Sequence, residues 1–321
     1  MNCLYCGKPF DDTVSNAEKD CGWHNSCVKR FFGTDKMPYI DISKEKLEQL
    51  AKESTNQGLT VPGVQKKLSL HLVSDDAPRL TLVNYPTGYI LKPQTEQYSH
   101  LPEAEHLIMS MAKATGINTV PFAMVKMGNE FAYITRRIDR VRTKGSKPKV
   151  KKLAMEDFCQ LDGKLTENKY IGSYERCGKI IAKYSFMPML DEVELFLRLV
   201  FCYVVGNSDM HLKNFSLIET KTESGTYQLS AAYDMLPVQV VANDEEDTAL
   251  TLNGKKKNLR RKDFMIFAQT IGLQDKVAER FIKKVIGLED KYIEMCRESY
   301  LPEDMKETLC QLISERIKKL I

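Results

Sequence analysis

Long apolar runs are missing from this sequence, and so are the marks of an export signal. The longest apolar run, residues 196–205, is interrupted by Arg198, whereas a membrane-spanning helix needs about 18 to 20 apolar residues. The first residues, MNCLYC, form neither the basic nor the apolar region of a signal peptide. We therefore expect a soluble, cytoplasmic protein without a membrane partner.

The sequence also lacks an excess of charge of one sign. It has 47 basic and 43 acidic residues among 321, which gives no general case for binding nucleic acid. Apolar residues make up 43% and charged residues 28%, and this balance excludes general disorder. No internal repeat or low-complexity tract is present, so the length indicates one large domain or two ordinary ones.

Basic residues are nevertheless concentrated in two stretches. Residues 140–152 contain seven basic residues and no acidic one, and residues 255–262 contain six more. Two interpretations stay open for these stretches: they are solvated loops, or they form a surface for an acidic or RNA-bearing partner.

Four of the nine cysteines lie within the first 27 residues. The other five are scattered through apolar or helix-like segments, and we expect them to be reduced, because disulfides are rare in a reducing cytosol. The N-terminal pattern is C-x2-C followed by C-x2-H-x2-C, and zinc prefers four such nitrogen and sulfur ligands. The residues of this pattern are Cys3, Cys6, Cys21, His24 and Cys27.

The simplest zinc set within residues 1–34 is Cys3, Cys6, His24 and Cys27, with Cys21 as the alternative to His24. If a helix starts near Gly22, His24 and Cys27 share one face of it. The segment has few apolar residues, which favours a fold stabilised by metal over one with free thiols. Two roles stay open for the segment: it docks a partner or contacts RNA, or it is a folded cap that binds no partner.

The remaining sequence predicts a strand-rich part followed by a helical part. Alternating leucines at 68, 70 and 72, the segments 80–83 and 89–92, and a hairpin over 120–135 predict strands, and 103–115 predicts a helix. Residues 35–58 read as a linker and a polar helix, and from 156 onward the chain is mostly helical. This is an α+β arrangement of two lobes, 35–138 and 139–321, with a ligand cleft expected between them.

The richest polar segment follows an apolar helix that we expect to end near Val205, with Asp191 and Glu194 as its capping pair. Asp209 and Asn214 then lie in a polar loop, and a hairpin leads to Asp234. Two carboxylates and an amide suit Mg²⁺. The step from Asp209 to Asn214 is also the step from catalytic aspartate to metal-binding asparagine in protein kinases.

Phosphoryl transfer needs few other groups. Asp209 would orient the acceptor hydroxyl and take its proton, while Asn214 and Asp234 hold Mg²⁺ on the nucleotide phosphates. Lys92 at a strand end would neutralise phosphate charge, with either Glu105 or Glu103 as its partner. A turn at Gly63, within residues 60–67, is placed to lay backbone N–H groups on phosphates. Each feature alone also fits an ordinary turn or cap, and their order along the chain is the stronger evidence.

With these motifs the chain resembles the HipA family of serine/threonine kinases, in a short form with an N-terminal zinc-knuckle-like segment. The resemblance covers nearly the whole chain. Its most specific motifs are GVQKK at 63–67, ILKP at 90–93, Glu105, RIDR at 137–140, EDFCQL at 156–161, GNSDMHLKNFS at 206–216 and YDM at 233–235.

The resemblance implies a bilobal protein-kinase-like fold, ATP with Mg²⁺, and a toxin–antitoxin module in which a small DNA-binding protein restrains the kinase. It implies a protein substrate, and aminoacyl-tRNA synthetases are among the targets of the family. It assigns Asp209 as catalytic base, Asn214 and Asp234 as metal ligands and Lys92 as phosphate lysine. Nucleotide contacts are implied for Gly63, Val64, Gln65, Lys67, Glu105, Arg137, Ile138, His211 and Lys213.

The chain departs from the family pattern at three places. Thr60 stands where a serine in the glycine turn is often autophosphorylated, so self-modification would have to use Thr60. Arg136 occupies a hinge position that is acidic in some members. The resemblance places the cysteine segment where long HipA proteins have a separate N-terminal subdomain, so we expect either different antitoxin contacts or a separate small protein that supplies the missing part.

Two other functions are alternatives to an active kinase. The first is a kinase-like nucleotide-binding module that docks RNA or a protein without catalysis. The second is a zinc-dependent hydrolase, which is less well supported because the zinc ligands form one compact cluster with no open position implied.

Overall fold

A computed structural model describes residues 2–40, 67–73, 77–81, 88–142, 150–242 and 244–321. The chain divides into two compact units. The first unit comprises residues 1–106 and 120–150, and the second comprises 107–119 and 151–321. Residues 41–58 of the segment 35–58, predicted as a linker and a polar helix, lie outside the described residues, as does the glycine turn with Thr60, Gly63, Val64 and Gln65.

The first unit is built on a six-stranded sheet in the order β1-β3-β2-β4-β6-β5. The β1–β3 pair is parallel and the other pairs are antiparallel. The predicted strand 89–92 and the hairpin turned at Gly128 are confirmed. The strands of this sheet are β1 Tyr39–Ile40, β2 Leu68–Val73, β3 Arg79–Thr81, β4 Tyr89–Lys92, β5 Phe122–Met127 and β6 Glu130–Arg136, and β7 Arg140–Arg142 follows. Strand β8, Val150–Lys152, begins at the last residue of the first unit and ends in the second.

The N-terminal segment packs against this sheet. It contains two short helices, α1 Asn16–Cys21 and α2 Asn25–Phe32. The fully buried Trp23 donates its indole N–H to the carbonyl of Met124 at 3.0 Å, and the N–H of Met124 donates to Leu4. The rings of Phe31 and Phe32 lie 5.8 and 5.5 Å from that of Tyr89. These contacts give the segment apolar packing against the sheet, in addition to the metal cluster that the sequence predicts for it.

Helix α3, Leu101–Thr115, begins two residues before the predicted start, and the boundary between the units falls within it. In the second unit a three-stranded antiparallel sheet has the order β11-β10-β9. These strands are β9 Met155–Asp157, β10 Ser216–Glu219 and β11 Tyr227–Leu229.

The core of the second unit surrounds one apolar helix. Its helices are α4 Phe158–Leu161, α5 Tyr174–Tyr184, α6 Pro188–Val204, α7 Val238–Val241, α8 Arg261–Thr270, α9 Asp275–Ile286, α10 Glu289–Arg297 and α11 Glu303–Lys318, with 3-10 helices at Thr166–Asn168 and Leu212–Asn214. Eleven of the 17 residues of α6 are buried, as its apolar composition predicts. Among the described helices none combines the length and apolar character that crossing a membrane requires.

The predicted capping pair of α6 was wrong. The helix begins earlier, with Met187 as N-cap and Pro188 in its first turn. The carboxylate of Asp191 instead accepts a hydrogen bond from the N–H of Leu229 at 2.7 Å. That of Glu194 accepts from Arg198 at 2.9 Å. The partner of Asp191 lies 38 residues further along the chain, whereas Glu194 and Arg198 are neighbours on one face of α6.

Candidate active site and metal centre

Lys92 and Glu105 form a buried ion pair in the first unit. Lys92 ends β4, where it pairs with Tyr133 of β6, and its ammonium lies 5.3 Å from the centre of the Tyr133 ring. Its Nζ donates to Oε1 of Glu105 at 2.6 Å, and the two side chains are 4% and 0% exposed. A buried charge is tolerated when it is paired, and this pair fixes the ammonium in position.

Glu103, the alternative partner, faces other groups. Its two carboxylate oxygens accept hydrogen bonds from Nε2 of Gln94 at 3.1 and 2.8 Å. Oε1 also lies 3.3 Å from Nδ1 of His100. The choice between Glu103 and Glu105, which the sequence left open, thus falls on Glu105 as the residue in contact with Lys92.

The segment after β6 holds a second charged cluster of the first unit. Arg137 donates to both carboxylate oxygens of Asp139, at 3.0 and 2.9 Å, and Arg140 also contacts Asp139. Burial opposes ionisation of Asp139, but the hydrogen bond and charge of Arg137, together with Arg140, outweigh it and lower the pKa. Sequence reasoning named Arg137 and the half-buried Ile138 but gave Asp139 no role.

The loop of residues 206–214, called the Asp209 loop below, follows α6 in the second unit. Gly206 has φ +69°, and a Cβ there would lie 2.5 Å from Leu312 Cδ2, so the turn requires glycine. The Nδ2 of the buried Asn214 donates to the carbonyl oxygen of Asp209 at 2.7 Å. The structure thereby brings the predicted catalytic aspartate and asparagine together across the loop.

A tyrosine that sequence reasoning missed contacts Asp209. The hydroxyl of Tyr170 donates to Oδ1 of Asp209 at 2.6 Å. Burial, and then the hydrogen bond and charge of Asp209, raise the pKa of Tyr170 well above its ordinary value, and the charge of Asp244 adds to this. Asp244 itself accepts a hydrogen bond from Ser208 of the same loop at 2.6 Å. Tyr170 lies in a polar connection that carries no periodic signal.

Asp234 follows β11 and has a left-handed backbone, with φ +62°, which is uncommon outside glycine and typical of constrained positions. The hydroxyl of the preceding Tyr233 donates to the carbonyl of Lys213 at 3.1 Å. It also lies 2.6 Å from the hydroxyl of Ser216. The segment that carries Asp234 is thus joined to the Asp209 loop through Tyr233.

The two proposed phosphate contacts in the Asp209 loop have partners within the second unit. The ammonium of Lys213 lies 2.8 Å from Oδ2 of Asp157. His211 is buried, and the centre of its ring lies 5.0 Å from that of Tyr170 in an edge arrangement. Asp157 is also the N-cap of α4. It lies in the motif EDFCQL, and sequence reasoning assigned it no role of its own. Lys67, in the first unit, is exposed just before β2.

The N-terminal segment brings four candidate metal ligands together. One ligand atom from each of Cys3, Cys6, His24 and Cys27 lies within 4.8 Å of the others. His24 presents Nδ1 to the sulfurs, 3.5 Å from that of Cys6 and 3.9 Å from that of Cys27. A donor set of three sulfurs and one imidazole nitrogen fits a closed tetrahedral zinc site.

Cys21, the alternative ligand, is turned to the backbone, where its sulfur lies 3.4 Å from the carbonyl of Glu18. Helix α2 begins at Asn25, three residues after Gly22, and His24 is its N-cap. Burial, and then the neighbouring thiols of Cys3 and Cys6, raise the pKa of Cys27 to about 12. Such crowding of thiols is what a bound cation would relieve.

The second basic stretch is largely neutralised within the second unit. Four of its six basic side chains form ion pairs with carboxylates, namely Lys255 with Asp263, Lys256 with Glu246, Lys257 with Glu245 and Arg261 with Glu279. This pairing favours the first of the two interpretations, that residues 255–262 form a solvated loop and not a surface for an acidic or RNA-bearing partner. Residues 143–149 of the first stretch lie outside the described part of the chain.

The other cysteines are free thiols. Cys159, Cys177, Cys202 and Cys296 are buried and Cys310 is half-buried. This agrees with the prediction that they are reduced residues of the interior.

Comparison with known proteins relates this chain to the HipA-like C-terminal domain and to proteins named as kinases. The profile of the HipA-like C-terminal domain matches residues 59–291. A Haemophilus influenzae protein named "Putative kinase" is 28% identical over 315 residues, which cover 88% of each chain. The "Serine/threonine-protein kinase toxin HipA" of Shewanella oneidensis is 27% identical over 61% of this chain and 47% of its own length.

Solved structures share the fold. HipA of Shewanella oneidensis, in a complex with HipB and operator DNA, superposes with a TM-score of 0.68 at 20% identity, over 86% of this chain and 71% of that one. The Helicobacter pylori proinflammatory kinase CtkA gives 0.51 at 15% identity, over 78% and 90% of the two chains. The predicted α+β, kinase-like fold is thereby confirmed.

Proposed function

The chain belongs to the HipA-like C-terminal domain family, and on this basis we propose that it is an ATP- and Mg²⁺-dependent serine/threonine protein kinase. The observation that carries the proposal is the Asp209 loop, in which Asn214 closes on the carbonyl of Asp209 at 2.7 Å. Asp-x4-Asn is the spacing with which protein kinases set a base and a metal ligand side by side.

Each residue has a specific role in this proposal. Asp209 holds the acceptor hydroxyl and accepts its proton as the oxygen attacks the terminal phosphorus of ATP, and ADP leaves. Asn214 and Asp234 would hold Mg²⁺, which supplies charge neutralisation to the phosphates. Lys92 contacts phosphate oxygens, and Glu105 keeps its ammonium in place through the 2.6 Å contact.

The remaining nucleotide contacts follow the family resemblance. We assign Gly63, Val64, Gln65 and Lys67 to the phosphates, Arg137 and Ile138 to the adenine, and His211 and Lys213 to the phosphates or nucleotide. Because Lys213 is paired with Asp157, its phosphate contact requires exchange of one anionic partner for another. Thr60 is the proposed site of self-phosphorylation.

Zinc has a structural role in the proposal. Cys3, Cys6, His24 and Cys27 would bind one ion with all four positions filled, which leaves none for a substrate. The ion would hold Leu4 and Trp23 in the positions from which they bond to Met124 of β5. This arrangement disfavours a zinc-dependent hydrolase.

Partners are proposed from the relatives. The Shewanella oneidensis HipA structure is a complex with HipB and operator DNA, and we propose a small DNA-binding antitoxin for this chain as well. A cytoplasmic protein is the proposed substrate, with aminoacyl-tRNA synthetases as the first class to test. The ion pairs of residues 255–262 argue against an RNA-bearing partner at that stretch.

The test is phosphate transfer from ATP labelled at the terminal phosphate, measured with the whole chain. Asp209→Ala and Asp234→Asn should abolish transfer while the melting temperature stays near that of wild type, since asparagine tolerates the left-handed backbone of position 234. Asp304→Ala, which removes an exposed aspartate of α11, is the control and should be fully active. Undiminished transfer in both site variants would refute the proposal. A melting temperature raised by Mg²⁺ and ATP without any transfer by wild type would favour the non-catalytic module.

A further inference from the structure

Residues 164–172, called the strap below, run along the Asp209 loop within the second unit. The strap connects α4 to α5 and includes the 3-10 helix Thr166–Asn168. The carbonyl of Lys169 accepts a hydrogen bond from the N–H of Leu212 at 3.1 Å. The strap is closed on itself by Lys164, whose ammonium donates to the carbonyl of Ile171. The strap is therefore held beside the Asp209 loop by a main-chain hydrogen bond and stiffened by the contact of Lys164.

Tyr170 of the strap presents a hydroxyl group to Asp209. Its oxygen lies 2.6 Å from Oδ1, and a general base must lie about 2.6 to 3.2 Å from the hydroxyl whose proton it takes. Because burial and the neighbouring carboxylate raise the pKa of Tyr170, the phenol keeps its proton and donates. The tyrosine thus makes with Asp209 the contact that an acceptor serine or threonine would have to make.

We propose that Tyr170 occupies the acceptor-hydroxyl position on Asp209 and competes there with the protein substrate. The inference rests on the proposed kinase function. The proposed role of Tyr170 is competition for a binding position and involves no covalent step. The side chain of an acceptor reaches Oδ1 of Asp209 only after the phenol of Tyr170 has moved aside. The apparent affinity for the acceptor is then the intrinsic affinity multiplied by the fraction of molecules in which Tyr170 has withdrawn.

The surroundings of Tyr170 allow such withdrawal. Tyr170 is 44% exposed, so solvent lies on one side of the residue and the ring can turn toward it. Its ring is held by the edge contact with His211 at 5.0 Å and by the ammonium of Lys169 at 4.9 Å. The main restraint is the hydrogen bond to a carboxylate, and hydrogen bonds to charged groups shift such equilibria by about tenfold or more.

Tyr170→Phe keeps the ring and removes the competing hydroxyl. The matched control is Tyr184→Phe, since Tyr184 is also exposed, at 39%, and has a lysine ammonium 4.5 Å from its ring. Dephosphorylated casein serves as the acceptor probe, with self-phosphorylation followed in parallel. We expect Tyr170→Phe to lower the KM for casein about tenfold with kcat within about twofold, and Tyr184→Phe to match wild type.

Two outcomes would overturn the inference: an unchanged KM in Tyr170→Phe, or an equal change in Tyr184→Phe. An unchanged KM together with a lower kcat would mark Tyr170 as a positioning residue for Asp209. Transfer by Tyr170→Phe where wild type is inactive would support the inference. No transfer by either protein would instead contradict the kinase function on which it rests.

A second measurement tests the contact without reference to activity. Tyrosines labelled with ¹³C at Cζ give one NMR signal each, and Tyr170→Phe identifies the signal of Tyr170. Asp209→Asn should shift this signal, while the Tyr184 signal stays in place. A Tyr170 signal that does not respond to Asp209→Asn would show that the contact is absent in solution, and the inference would fall irrespective of kinetics.

Discussion

The ammonium of Lys92 lies 2.6 Å from Oε1 of Glu105, and both side chains are almost completely buried. Burial removes water from both charges, which costs free energy of desolvation. The attraction between the two charges offsets this cost only while both partners are present. The pair therefore links the stability of the first unit to the position of a cation that the proposed reaction needs.

Lys92→Met and Glu105→Gln should each lower the free energy of unfolding by about 3 to 5 kcal/mol, because each leaves one buried charge without its partner. The double variant Lys92→Met/Glu105→Leu should recover most of this loss, since apolar residues of similar volume replace both charges. Urea unfolding measures the stabilities. Phosphate transfer should stay absent in the double variant, and its return together with stability would contradict the role given to Lys92.

Asp139 should make the free energy of unfolding depend on pH in the acidic range. Its pKa is lowered in the folded chain, so its ionised form stabilises the fold fully above the unfolded pKa of about 3.9. This contribution should be lost as the pH falls through that value toward the lower folded pKa. We expect the urea midpoints of wild type and Asp139→Asn to differ at pH 7 and to converge below about pH 4. A difference that stays constant over this range would contradict the assignment.

Zinc content should distinguish two cysteines of the same segment. Cys6→Ser removes one of the four clustered ligands, whereas Cys21→Ser removes a thiol that faces the carbonyl of Glu18. Elemental analysis should find about one zinc per chain in wild type and Cys21→Ser, and markedly less in Cys6→Ser. Loss of zinc in Cys21→Ser with retention in Cys6→Ser would mean that the ligand set is a different one.

Asp157 combines two contacts that can be separated. Its Oδ1 accepts from the N–H of Gln160 at 2.9 Å as the N-cap of α4, and its Oδ2 binds Lys213 at 2.8 Å. Asp157→Ala should cost about 1 kcal/mol of stability, whereas Asp157→Asn keeps a good capping group and should cost less. Asp157→Asn should also free Lys213 and lower the KM for ATP. Equal destabilisation by both variants would argue against the cap.

The strand 89–92 and the Asp209 loop could be predicted because their signals are local. Alternation of apolar residues specifies a strand, and the step from Asp209 to Asn214 lies within one loop. The four-ligand cluster was also predictable, because two short cysteine spacings nearly determine it. The preference for His24 over Cys21 needed the structure, since it depends on where α2 begins.

Contacts between distant residues could not be predicted in the same way. The indole of Trp23 donates a hydrogen bond to the carbonyl of Met124, which lies 101 residues further along the chain. No local sequence pattern predicts this contact. Asp191 looked like a helix cap by spacing, yet its carboxylate receives the N–H of Leu229. Tyr170 approaches Asp209 across 39 residues, in a connection with no periodicity. In each case tertiary packing decided the role of the residue.

The most direct test of the central claim is a quantitative comparison of the phosphorylated proteins in cells that express wild type or Asp209→Ala at equal levels. The account predicts at least one protein phosphorylated on serine or threonine only with wild type, and it predicts that the same protein is phosphorylated by the purified chain with Mg²⁺ and ATP. Identical phosphorylation in the two cultures, together with no transfer by the purified protein, would contradict it.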